Sequence, residues 1–179
     1  KSLRAMAYHP DTEALYVPLN LNCETAAFLP VERREGGGGA GGVRDKEYHF
    51  HPESPDQIGE FQALDIRTGE TKWRQRRRTP YNTAALTTGG GLVFVGDWDR
   101  YVFAYDAESG AELWQTRLPH MTNGFPITYA VDGTQYVAIG TGQSIGGSSW
   151  ATIIPSELLP EKKNPRASGG IFVFALPWT

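Results

Sequence analysis

The residues of this chain whose types and spacing suit chemistry are few, and most are better explained by turns. His49 and His51 stand two apart and share one face of an extended segment. That spacing begins a metal site, yet no Cys and no third His lies nearby. Metal centres need a fuller ligand set, so two loop histidines flanking Phe50 are the better reading and no metal ligand is expected. Asp65 and Asp106 sit where a carboxylate accepts backbone N–H bonds in a tight turn. Asp97 and Asp99 bracket Trp98 in a short loop. The Gly36–Gly42 tract has no Lys-Ser/Thr after it, so it is no phosphate loop; it reads as a mobile surface insertion within residues 30–57. The run Leu19-Asn-Leu-Asn-Cys-Glu24 gathers polar groups, Asn20 and Asn22 among them, at the end of a strand.

The elements that must position these groups are strands, and they repeat. Ala63-Leu-Asp-Ile-Arg-Thr-Gly-Glu-Thr-Lys-Trp73 and Ala104-Tyr-Asp-Ala-Glu-Ser-Gly-Ala-Glu-Leu-Trp114 share the pattern A-x-D-x-x-[ST]-G-x-x-x-W, 41 residues apart. That period belongs to four-stranded propeller blades. In each copy the Asp and Gly close a hairpin and the Trp stands on its second strand. The expected fold is all-β: an incomplete propeller with two full four-stranded blades and three strands of a third. The blades span 4–78 (with the insertion 30–57), 79–118 and 119–177. Leu92-Val-Phe-Val95 is apolar without alternation, which predicts a strand covered on both faces. Asp132-Gly133 marks a hairpin between Phe125–Tyr129 and Gln135–Gly140. Ile171–Ala175 is the last strand, and no Asp-turn-Gly-Trp sequence follows it. The third blade therefore ends on an open apolar edge.

Composition narrows the function classes. Hydrophobic residues make up 40% and charged residues 21%, with 21 Gly and 12 Pro, which suits a turn-rich globular β-protein. A net charge of −3 leaves no basic stripe for nucleic acid. The one cationic cluster, Arg74, Arg76, Arg77 and Arg78, reads as a solvated face. Cys23 is alone, so no internal disulfide forms and the redox compartment is open. No apolar run is long enough to span a membrane. The opening KSLRAMAYHP reads as a start in mid-domain.

The Trp-ended hairpins, TTGGGLVFVGDWDRYVFAYDAESGAELW, NGFPITYAVDGTQYVAIGTG and the closing GGIFVFALP together resemble the C-terminal third of quinoprotein dehydrogenases, from about Arg4 to Pro177. The ending FVFALP looks closest to the membrane glucose- and sorbose-type members. The resemblance implies an eight-bladed propeller in the periplasm that binds pyrroloquinoline quinone and calcium (or a lanthanide) on its axis. It implies oxidation of an alcohol, sugar or polyol, with electrons passed to a cytochrome or ubiquinone. The family's cofactor-contacting Asn maps onto Asn20, with Asn22 as the neighbour that could replace it; an amide can donate to a quinone oxygen and accept from a ring N–H. The family's aromatic ahead of the T-x-G-G-L-V-F strand falls at Asn82, a departure, with Tyr81 beside it. Thr122 to Phe125 begin an inner strand and could approach the axis. Trp73 and Trp114 match the blade-docking tryptophans, and Trp98 a rim residue. The family's catalytic Asp, metal ligands and paired cysteines belong to earlier blades, so no catalytic residue is expected here.

Two other readings remain open on the sequence. Non-catalytic propellers of the outer-membrane assembly lipoprotein type carry the same Trp-docked hairpins, and fold does not settle function. Alternatively, the partners of the open edge are other copies of this chain, in place of the remaining blades.

Overall fold

The computed structural model describes residues 4–30, 35–36, 43–142, 157–163 and 169–176. The chain begins with strands β1 (Ala7–His9) and β2 (Ala14–Asn20). Next comes a separate hairpin of β3 (Asn22–Phe28) and β4 (Val43–Phe50). Strands β5 (Gly59–Asp65) and β6 (Thr71–Arg77) then return to the first sheet, whose order is β1-β2-β5-β6. The second sheet holds β7 (Leu86–Thr87), β8 (Leu92–Gly96), β9 (Tyr101–Asp106) and β10 (Glu112–Arg117), each antiparallel to the next. The third has three strands, β11 (Thr122–Val131), β12 (Thr134–Thr141) and β13 (Gly170–Ala175). Among the described residues this is a partial propeller of two four-stranded blades and one three-stranded blade.

The turns form as their residues dictate. Asp65 Oδ1 accepts the N–H groups of Arg67 (2.8 Å) and Thr68 (3.1 Å), and Asp106 Oδ1 accepts that of Ser109 (2.7 Å). These short hairpins fix the register that places Trp73 opposite Ala63 and Trp114 opposite Ala104.

Burial between the blades supplies the core. Tyr16, Phe61 and Trp73 of the first blade meet Tyr81, Phe103 and Tyr105 of the second, with Phe61 centred 5.5 Å from Tyr81 and 5.8 Å from Tyr105. Strand β8 divides its residues between two interfaces: Val93 and Val95 join this cluster, while Phe94 packs with Val137 of the third blade. That double cover is why its sequence lacks alternation. Trp73 is buried and its Nε1–H donates to Ala107 O (2.9 Å) across the blade boundary. Trp114, its counterpart one blade on, is 38% exposed and meets Phe174 edge-on at 5.2 Å. Beside it a cavity of about 610 Å³ opens among Leu92, Phe94, Leu113, Trp114, Phe174 and Leu176.

The structure departs from the sequence reading at two places. The insertion in the first blade is not wholly irregular: Val43–Phe50 pairs with Asn22–Phe28, and Lys46 Nζ meets Glu24 Oε2 at 2.7 Å across the hairpin. Tyr48 and Phe50 stand two apart and both pack on the cluster of Ile58, Leu158 and Leu159. The arginine cluster is not a solvated face. Arg76 and Arg74 flank the buried Glu60 carboxylate at 2.7 and 3.3 Å. Arg77 lies 3.9 Å over the Phe103 ring and pairs with Glu112. An acid buried on β5 and an aromatic on the neighbouring blade recruit these side chains, and neither is adjacent in sequence. The Gly tract itself lies mostly outside the described residues.

Candidate functional site

One end of the blades collects most of the polar side chains raised by the sequence. It carries the connections β2–β5, β8–β9 and β12–β13, together with the segments that cross from each blade's outer strand to the next blade's inner strand. The innermost strands β1, β7 and β11 converge here. Ala85 N–H donates to Ala5 O (3.1 Å), and Ala84 N–H donates to Gly124 O (3.0 Å).

The crossing from Arg78 to Ala85 is the organising segment. Asn82 N–H donates to Gly96 O (2.7 Å), its Nδ2 donates to Thr122 O (2.6 Å), and its Oδ1 accepts from Arg4 (2.7 Å). One side chain thus ties all three blades. Tyr81 is fully buried in the interblade core, its hydroxyl 3.0 Å from that of Tyr105. Two close approaches require glycine here, one beneath the crossing and one where β8 meets the start of β11. A Cβ on Gly59 would fall 2.1 Å from Thr79 O, and one on Gly96 would fall 2.4 Å from Thr122 Oγ1.

Asp97 closes the next layer. Its Oδ2 accepts from Thr79 Oγ1 (3.0 Å), its Oδ1 from Tyr101 N–H (2.8 Å), and its carbonyl from Thr122 Oγ1 (2.8 Å). Burial pushes its carboxyl up to about 7, against those two donors and with the neighbouring Asp99 charge adding to the rise. Burial likewise lowers Arg4 to about 10. Asp99 is held by Arg117 (2.9 Å) and Lys162 (2.7 Å).

Asn20 ends β2 at this end of the blade, paired with Gly59 through its backbone and exposed in its side chain. Asn22 opens β3 two residues on and is half-buried. The structure therefore sets Asn20 and Asn22 at an open strand end, whereas Tyr81 and Asn82 are enclosed by protein. Only Asn20 of the four is exposed; Asn82 is bonded to Arg4, Gly96 and Thr122, and Tyr81 lies in the interblade core. His49 Nε2 lies 3.2 Å from Thr25 Oγ1, and His51 Nδ1 accepts from Glu53 N–H (3.2 Å), each a local hairpin contact. Sequence reasoning placed Thr122 near the axis but missed Arg4 and the buried state of Asp97. Arg4 carries no local motif. The Asp-Trp-Asp loop gave no sign of which acid turns inward.

Comparison with known proteins fits this architecture. The family model "PQQ: Glucose/ethanol/alcohol dehydrogenase, beta-propeller domain" matches residues 74–137. The quinoprotein ethanol dehydrogenase of Pseudomonas putida is 33% identical over 99% of this chain, which covers 27% of that relative. Lupanine 17-hydroxylase [cytochrome c] of a Pseudomonas species is 32% identical over 84% of this chain and is covered over 21%. Among solved structures, a europium-containing methanol dehydrogenase superposes with a TM-score of 0.78 at 27% identity, covering 97% of this chain and 32% of that one. The chain spans about a quarter of the length of the curated relatives it matches. With the Trp-docked blades, the converging inner strands and similarity along nearly its whole length, this chain belongs to the quinoprotein dehydrogenase family.

Proposed function

We propose that this chain is the C-terminal segment of a periplasmic dehydrogenase that oxidises alcohols with pyrroloquinoline quinone, contributing blades and one wall of the cofactor pocket. The observation that carries the reading is the position of Asn20: an exposed amide at the end of β2, on the same end of the blades as the crossings between them. Asn20 and Asn22 would hold the quinone, donating through Nδ2 and accepting through Oδ1. Asn82 and Tyr81 act beneath them, fixing the crossing and hence the floor of the pocket. When bound, the quinone supplies the two-electron acceptor for the substrate alcohol. Calcium or a lanthanide would draw its ligands from outside the described residues, among which no three His, Cys, Asp or Glu side chains converge. The naming of cytochrome c in one relative supports a cytochrome as electron acceptor, and the alcohols named in others favour an alcohol over a sugar.

Titration of the chain with pyrroloquinoline quinone and calcium tests this. Saturable binding that weakens about tenfold in Asn20→Ala, the worth of one good hydrogen bond to the ligand, is the expected result. Saturable binding unchanged by both Asn20→Ala and Asn22→Ala would refute the assignment of this wall.

A further inference from the structure

The long β12–β13 connection is described over residues 157–163, and this short stretch reaches back over two other blades. Arg78, at the head of the crossing, donates through Nε to Glu161 Oε1 (2.9 Å) and through its terminal nitrogens to Leu158 O (2.7 Å) and Asp56 O (2.7 Å). Its guanidinium carbon stands 5.2 Å from the centre of the Phe50 ring. The next residue along, Lys162, reaches Asp99 Oδ2 on the β8–β9 loop at 2.7 Å. Beneath these pairs, Leu158 and Leu159 are buried against Ile58, with Tyr48 and Phe50 packed alongside. Loops from all three blades thus meet over the second blade.

We propose that residues 157–163 form a latched strap, positioned by Arg78, that closes this end of the second blade by pinning Glu161 to the first blade and Lys162 to the second. The charge order makes the latch specific for one register. Glu161 faces a cation and Lys162 an anion; a slip of one residue brings like charges together. Arg78 immediately precedes Thr79, so the residue that holds the strap also begins the segment carrying Tyr81 and Asn82. The Arg78–Glu161 pair has side chains 36% and 48% exposed, whereas those of Lys162 and Asp99 are 26% and 15% exposed. Salt therefore weakens the first pin before the second. This inference rests on contacts within the chain and stands apart from the cofactor assignment.

Hydrogen–deuterium exchange on the intact chain tests it, read on peptides covering 157–163, 51–58 and strands β8 and β9. The Arg78→Met variant loses the fork that binds Glu161, Leu158 and Asp56. The double exchange E161K/K162E preserves net charge at the surface but reverses the order of the pins. Both are expected to speed exchange over 157–163 about tenfold while β8 and β9 keep their protection. Should Arg78→Met loosen the whole chain, the double exchange decides. Wild-type protection of 157–163 in the double exchange overturns the latch, as does acceleration there no greater than in β8 and β9.

Discussion

Gly69 and Gly110 occupy the same place in the two repeats, with φ of 75° and 71°. Their surroundings differ. Around Gly69 an added Cβ meets nothing within 4 Å, whereas at Gly110 it would fall 2.5 Å from Cδ2 of Trp73. Gly→Ala at either site costs about 1–2 kcal/mol for a left-handed backbone with a Cβ. At Gly110 the methyl must also displace a buried indole that is hydrogen-bonded to Ala107 O and packed on Phe61 and Tyr105. Overpacking of that kind adds about 1–3 kcal/mol. Gly110→Ala is therefore expected to destabilise the chain by about 1–3 kcal/mol more than Gly69→Ala, measured by urea unfolding with unchanged m-values. The excess should shrink in a Trp73→Ala background, since the clash leaves with the indole. Equal losses for the two glycines, or an excess that survives removal of Trp73, would refute interblade docking as the reason for Gly110.

The two tryptophans make a second contrast. Trp73→Phe should cost about 1–3 kcal/mol through lost packing and one hydrogen bond, softened because Ala107 O keeps the Tyr16 hydroxyl (2.9 Å). Trp114→Phe, at a half-open boundary, should cost less than half of that in the same unfolding assay. Asp97 predicts a pH dependence. Its folded carboxyl sits at about 7, above the unfolded value of 3.8, so the native state binds the extra proton and stability falls as pH rises from about 4 to 7. Asp97→Asn keeps an acceptor for Tyr101 N–H and should flatten that slope in thermal melts; an unchanged slope assigns the effect elsewhere. Arg76→Met leaves Glu60 with Arg74 alone and should destabilise by about 1–3 kcal/mol. Glu60→Gln/Arg76→Met, which also removes the buried charge, should recover part of that loss.

The blades were legible in the sequence because their causes are local. Asp65, Asp106 and the glycines after them close hairpins through bonds spanning only a few residues, and the repeated Trp gives both period and phase. The β11–β12 hairpin of the third blade was legible for the same reason, from Asp132-Gly133 at its turn. The β3–β4 hairpin was harder to see because a Gly-rich tract separates its strands and its pairing closes a long loop. What the tertiary structure alone decided is which polar groups face inward. Glu60 gathers two arginines, Arg77 lies on an aromatic of the neighbouring blade, and Arg78 joins three loops; these partners lie 14 to 83 residues away. Asn20, matched to the family's Asn, and Asn82, a departure where the family has an aromatic, were both candidate amides, yet one stands at an open strand end and the other is enclosed by Arg4, Gly96 and Thr122. Residue type and spacing determine where the chain turns and what each strand can bury. Whether an amide is offered to a ligand or spent on the scaffold depends on which blades converge around it, and only the assembled inner strands fix that.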